Sequence, residues 1–193
     1  MKVAAQQLGS QPSSAPPRWT LTTRHLTDWL SRDCLGGPRP WKLAWVINIQ
    51  KAGTFPFYLL LVWWYQNTTT PVLVYVALQA AYGLAWVLKD VAFPDRNWQA
   101  RITILGGINT FATVLGPYWV FGWLLISRTS VPTYPLPEAQ WLCLCVGLTV
   151  LGVVIMIAAD AQKFFTLRVR PGLITDGMFR WVRHPNYLGE MMF

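Results

Sequence analysis

Trp141-Leu-Cys-Leu-Cys-Val-Gly-Leu-Thr-Val-Leu-Gly-Val-Val-Ile-Met-Ile-Ala-Ala159 runs for nineteen residues without one charged side chain. As an α-helix it would rise about 28 Å, close to the roughly 30 Å of hydrocarbon in a bilayer. Only a helix or a closed barrel can carry a backbone through that medium, because each amide must find its partner inside the protein. A run of this length without period-2 alternation reads as a membrane helix.

Working outward, three more apolar spans stand upstream: about Ala44 to Tyr65, Val72–Leu88 and Ile102–Ser127. The first carries Asn48, Gln50 and Lys51 in its first half. The third is long enough to tilt, and Gly116-Pro117 predicts a kink within it. There are no internal repeats and no heptads. The fold class expected is all-α: a polytopic integral membrane helical bundle of four transmembrane helices plus the start of another. Residues 1–42 are expected to form a flexible cytosolic tail. Residues 43–193 form the transmembrane domain, with 160–193 as its polar, chemistry-bearing segment.

Composition agrees. Apolar residues make up 53% of the chain and charged residues 12%, about half the usual globular share. Twelve tryptophans suit membrane interfaces. The net charge of +8 could suggest nucleic acid, but Lys and Arg gather in three clusters between apolar runs, so nucleic acid is excluded as a partner. Six lie in the tail, three between Lys89 and Arg101, and five between Lys163 and Arg183. The intervening connections hold one, Arg128. Fourteen against one places the N-terminus and the His184 segment on the cytosolic side.

Several smaller features follow from the same reading. Cys34, Cys143 and Cys145 are odd in number and offer neither a disulfide framework nor a metal site, so they are expected as buried reduced thiols. Asn67-Thr68-Thr69 is a glycosylation sequon in a turn too close to the membrane for modification. The leader has no apolar core of a signal peptide, although its lack of acidic residues before Asp28 also suits a transit peptide. Lys51 is expected to snorkel to the cytosolic interface, with a polar cavity as the alternative. Gln79 and Asn109 are expected to tie helices together.

The remaining chemistry sits at the end of the chain. Asp160 and Lys163 are three apart, the spacing of a helix salt bridge, although a carboxylate beside an apolar run could equally meet a ligand amine or hydroxyl. Arg168, Arg170, Arg180 and Arg183 follow in a loop punctuated by Pro171-Gly172 and Asp176-Gly177. They suit anionic headgroups, and equally the bidentate grip of a diphosphate. Arg183-His184-Pro185-Asn186-Tyr187-Leu188-Gly189-Glu190 then opens a helix, with Pro185 in its first turn. Asn186 and Glu190 are four apart, with Tyr187 beside them. An amide and a carboxylate on one face suit a planar carboxamide or an amine.

These residues carry a resemblance. Asp160, the Leu167-Arg168-Val169-Arg170-Pro171-Gly172 stretch, the Gly177-Met178-Phe179 turn and Arg183 to Glu190 resemble the steroid 5α-reductase-like (DUF1295) membrane oxidoreductase family. That superfamily also contains the isoprenylcysteine carboxyl methyltransferases. The resemblance covers about Ala159 to Phe193. It implies NADPH as cofactor, with Asp160, Arg168 and Arg170 at the adenosine and phosphate end. It implies Asn186, Tyr187 and Glu190 at the nicotinamide end, Tyr187 and Glu190 as catalytic residues, and Arg183 and His184 lining the same cleft. The reaction implied is reduction of a carbon–carbon double bond in a sterol or other unsaturated lipid held in the bilayer.

Steroid reductases of the group also place a Glu and a Tyr in earlier helices. Here Glu138 and Glu190 are the only glutamates, which disfavours a steroid enone, while Tyr58 and Tyr82 are candidate proton donors. The methyltransferase branch shares an Arg-His-Pro-x-Tyr-x-Gly core and implies S-adenosylmethionine instead. A non-catalytic membrane protein is the third reading. Family members continue with a further membrane segment and a basic region, so this chain is expected to be an incomplete, inactive version of its parent. The endoplasmic reticulum is the group's usual home, and a plastid membrane is the second expectation.

Overall fold

The structure, a computed structural model, describes residues 18–193. Helix α1 (Arg18–Asp28) continues through a π-helical turn, Trp29–Asp33. The two-residue strand β1 (Trp41–Lys42) leads directly into α2 (Leu43–Tyr65). Next come α3 (Thr70–Ala92), the short strand β2 (Arg101–Ile102), α4 (Ile104–Thr110) and α5 (Gly116–Ile126). The long α6 (Glu138–Val169) is followed by a 3-10 turn, Gly177–Arg180, and by α7 (Pro185–Met192).

The all-α membrane bundle expected from the sequence is what the chain forms. Three stretches are long and apolar enough to cross a membrane: α3, the continuous Ile104–Ile126 run of α4 and α5, and α6. Helix α2 matches α3 in length at 23 residues. It is not among the three, because Asn48, Gln50 and Lys51 interrupt its apolar run.

Local chemistry sets the boundaries. Pro71 opens α3 and Pro185 opens α7, where a missing N–H costs nothing. Gln66 ends α2 in the left-handed conformation. The expected kink at Gly116-Pro117 takes the form of a widened π-helical turn, Phe111–Leu115, joining α4 to α5. A proline cannot donate to the preceding turn and its ring crowds that carbonyl, so the helix loosens just before it. Helix α6 continues ten residues past the apolar run, to Val169, because Asp160, Gln162 and Lys163 all find partners on neighbouring elements.

The ends of the bundle are well defined. At one end Leu43 and Ala44 donate to the carbonyls of Ala100 and Trp98, and β1 pairs antiparallel with β2. At the other, the Asn67 amide donates to the Ile126 carbonyl at 2.9 Å and its oxygen accepts from Thr69. Asn67 is thus buried and engaged, which takes the sequon out of reach. Two apolar clusters fill the body, one around Leu43, Ile47, Tyr82, Trp86, Ile102 and Met156, the other around Tyr58, Val72, Val76 and Ile126.

Three expectations need correction. Residues 18–42 of the expected tail are folded. The Thr103 amide donates to the Arg32 carbonyl, and Asn109 and Thr110 donate to Leu30 and Ser31, fastening the segment to α4. The leader before residue 18 lies outside the described residues. Asn109 thereby ties α4 to this segment and not to another spanning helix. The cysteines are free but not buried: Cys143 is exposed, and Cys34 and Cys145 are half-buried. Neighbouring apolar side chains of α6, Leu144, Val146 and Leu148, are exposed as well, so this part of the helix faces lipid rather than protein.

A charged interior beneath an arginine-rich rim

Helix α7 turns back along α6, and glycine sets how closely. A Cβ on Gly189 would collide with the Gly152 carbonyl, and the backbone at Met156 lies just as near. Only the absence of both side chains permits this approach. Because α7 is seated so deeply, Glu190 is carried inward. Phe193 stacks on Tyr82 of α3, with ring centres 3.9 Å apart.

The interior it reaches is unusually charged for a membrane body. Lys89 of α3 donates to Asp160 of α6 at 2.6 Å, both side chains nearly buried. The ammonium of Lys89 also rests 3.6 Å from the Trp86 ring centre. Lys51 of α2 is 6% exposed, so it turns into the bundle and does not snorkel. Its ammonium stands 4.5 Å from the Tyr82 ring centre, 4.6 Å from Tyr118 and 5.7 Å from Trp86. Gly83 holds α3 against the Lys51 carbonyl, which fixes where that side chain starts. Glu190 lies within electrostatic range of Lys89, Asp160 and Lys51. Two cations and two carboxylates therefore share one interior.

A second ion pair lies nearer the end of the bundle. Lys163 donates to Asp95 at 2.7 Å, and the Asn97 amide donates to the same carboxylate at 2.8 Å. Partial burial of Asp95 works against its charge. The hydrogen bonds from Lys163 and Asn97, with the Lys163 and Lys89 charges, outweigh it and hold the carboxyl below its ordinary value. Asp160 and Lys163 thus pair with Lys89 and Asp95 on other elements, and not with each other. Asp90 accepts from both Asn48 and Gln99, closing the polar edge of the cluster.

Above the interior lies the loop from Arg170 to His184, pinned by one side chain. Gln162 donates to the Asp176 carbonyl at 2.9 Å and accepts from the Met178 amide at 3.0 Å. Gly177 takes a φ of +56° directly over Gln162, a position where a Cβ would strike that side chain. The side chains of this loop and of the last turn of α6 look outward. Arg170 pairs with Asp176 at 2.9 Å, Arg168 lies over the Phe164 ring, and Arg180 over Trp181. Arg183 and His184 are exposed, and the His184 ring is 5.5 Å from that of Tyr187, itself exposed.

The expected site residues therefore divide. Asp160, Asn186 and Glu190 are half-buried, with Asp160 and Glu190 in electrostatic range of each other, whereas Arg168, Arg170, Arg183, His184 and Tyr187 lie exposed on the rim. Of the two candidate tyrosines, Tyr58 is fully buried with its hydroxyl given to the Tyr118 carbonyl at 2.7 Å. Tyr82 stands beside Lys51 and within electrostatic range of Glu190. Lys89, Asp95 and Gln162 belong to the site but were not singled out from the sequence as site residues. Lys89 had a signal available, since it ends one apolar span as Asp160 ends another.

Taken together, these features define an integral membrane helical bundle with a compensated charge cluster inside and a basic rim at one end. The family model described as "Protein of unknown function (DUF1295)" matches residues 80–193, more than half of the chain, and the protein belongs to that family. No curated protein and no solved structure matches it.

Proposed function

We propose that this chain forms the cofactor-binding body of an NADPH-dependent reductase acting on a carbon–carbon double bond of a membrane lipid. One observation carries the reading: α7 carries Glu190 towards a charged interior, with half-buried Asn186 one turn before it, beside a rim bearing four arginines. The residues present fit a dinucleotide phosphate. Exposed guanidinium groups at Arg168, Arg170, Arg180 and Arg183 offer planar forks for phosphate, and an amide with a carboxylate suits a carboxamide. The cofactor, when bound, supplies the hydride.

The chain's own residues bind, orient and exclude water. Asp160 serves by holding Lys89, which completes the field around Glu190. Tyr82 is the hydroxyl best placed to hand a proton to a lipid in the interior, and Tyr187 guards the rim. Charge asymmetry between the two ends supports a cytosolic position for the rim and the N-terminus. The endoplasmic reticulum membrane is the compartment this reading implies.

Binding tests it directly. The chain in lipid nanodiscs is titrated with NADPH and, separately, with S-adenosylmethionine while thermal stability is followed. NADPH at a hundredfold its Kd should stabilise by about 2.7 kcal/mol, and Glu190→Ala and Asn186→Ala should each need more NADPH to reach the same stabilisation. Stabilisation by S-adenosylmethionine alone would overturn the proposal in favour of methyl transfer, and a response to neither would favour a non-catalytic role.

A further inference from the structure

Lys51 and Glu190 are opposite charges that face one interior from α2 and α7, yet they do not join. No hydrogen bond or salt bridge engages either of them among the described residues, although each lies in the electrostatic field of the other. Their neighbours behave differently: Lys89 takes Asp160, and Lys163 takes Asp95. A buried ammonium normally finds a carboxylate or loses heavily in solvation.

Lys51 is prevented from doing so by its surroundings. The rings of Tyr82, Tyr118 and Trp86 hold its head group. The α2–α3 approach at Gly83 fixes its root, and the Gly152–Gly189 contact fixes the backbone that carries Glu190. Both poles are set by packing before any ligand arrives. What they offer is a donor with no acceptor on one side and an acceptor with no donor on the other.

We infer that Lys51 and Glu190 are the two poles of a primary-carboxamide site. The ammonium of Lys51 donates to the carbonyl oxygen, and the Glu190 carboxylate accepts from the amide nitrogen. A primary carboxamide presents acceptor and donor side by side in one plane, so it answers both poles at once. A carboxylic acid would face Glu190 with a like charge, and an amine would face Lys51 with one. The inference rests on the cofactor reading above, in which the carboxamide is that of nicotinamide. It adds Lys51, on a helix outside the motif segment, as the residue that sets which way the ring faces.

The test compares NADP+ with its 3-acetylpyridine analogue, which keeps the carbonyl oxygen and replaces the amide nitrogen by a methyl group. Affinities are measured by equilibrium binding to the intact chain in nanodiscs. The wild type should prefer NADP+ by about tenfold or more, the preference expected where a charged acceptor loses its donor. Glu190→Ala should bind the two alike. Lys51→Met, close in shape to lysine, should weaken both by a similar factor and leave the preference in place. A wild type indifferent to the substitution overturns the inference without requiring any variant to fold. So does a Lys51→Met protein that binds NADP+ as the wild type does. Failure of the wild type to bind either dinucleotide removes the cofactor reading itself, and the inference with it.

Discussion

Replacing Asp160 by Asn should unsettle the bundle far more than a conservative change usually does. The side chain keeps its size but loses its charge, so Lys89 remains an ammonium in a site where it is only 7% exposed. Removing one partner of a buried pair costs about 3–5 kcal/mol, chiefly because the survivor stays desolvated. The Trp86 face beneath Lys89 offsets about 1–2 kcal/mol of that, and Glu190 supplies a further, more distant countercharge. The net loss expected is about 2–3 kcal/mol, roughly a hundredfold in the folding equilibrium.

Unfolding in mixed micelles at increasing SDS, followed by tryptophan fluorescence without ligand, measures it. The double variant Lys89→Met with Asp160→Leu should recover most of the loss, because an apolar pair of similar volume removes both charges together. An Asp160→Asn protein within about 0.5 kcal/mol of wild type, the scale of an ordinary surface change, would refute the reasoning. So would a double variant whose cost is the sum of its parts.

Three further outcomes are expected. Gly189→Ala should destabilise the chain by about 1–3 kcal/mol through overpacking against the Gly152 carbonyl and Met156, read as a fall in thermal midpoint, and weaken NADPH binding with it. The Asp95 carboxyl is depressed in the folded protein. Its contribution is therefore present above its unfolded value of about 4 and lost as pH falls through the lower folded value. The thermal midpoint of Asp95→Asn should accordingly depend less on pH in the acid range than that of wild type. Arg170→Ala should leave stability within about 1 kcal/mol, since its pair with Asp176 is exposed on both sides, while weakening NADPH binding; equal affinity for NADPH in that variant would remove Arg170 from the phosphate site.

The helices were legible because the bilayer reduces the choices a sequence can make. Nineteen uncharged residues can scarcely be anything but a spanning helix, and Gly116-Pro117 marked the irregular turn correctly in place. The position of the polar segment at the head of a short helix could also be read, from Pro185. Partners of buried charges could not. Asp160 and Lys163 carry the spacing of a helix salt bridge, but their true partners lie 71 and 68 residues away. Lys51 sits near enough to a span's end to snorkel, and only the aromatic rings contributed by α3 and α5 explain why it turns inward. The folded state of residues 18–42 depends on backbone carbonyls meeting α4, and composition is silent on such contacts.

The order of signs along α6, and along α3 and the turn that follows it, has one more consequence. The bundle holds Lys89 against Asp160 and, further towards the same end, Asp95 against Lys163. Sliding α6 by three residues, about 4.5 Å, would bring Lys163 to Lys89 in one direction and Asp160 to Asp95 in the other. Both errors set a partly exposed charge against a nearly buried one of the same sign, which water screens poorly. Apolar helices in lipid can otherwise slip past one another at little cost. Here four side chains act as a key with two teeth of opposite polarity, and only one seating of α6 turns the lock.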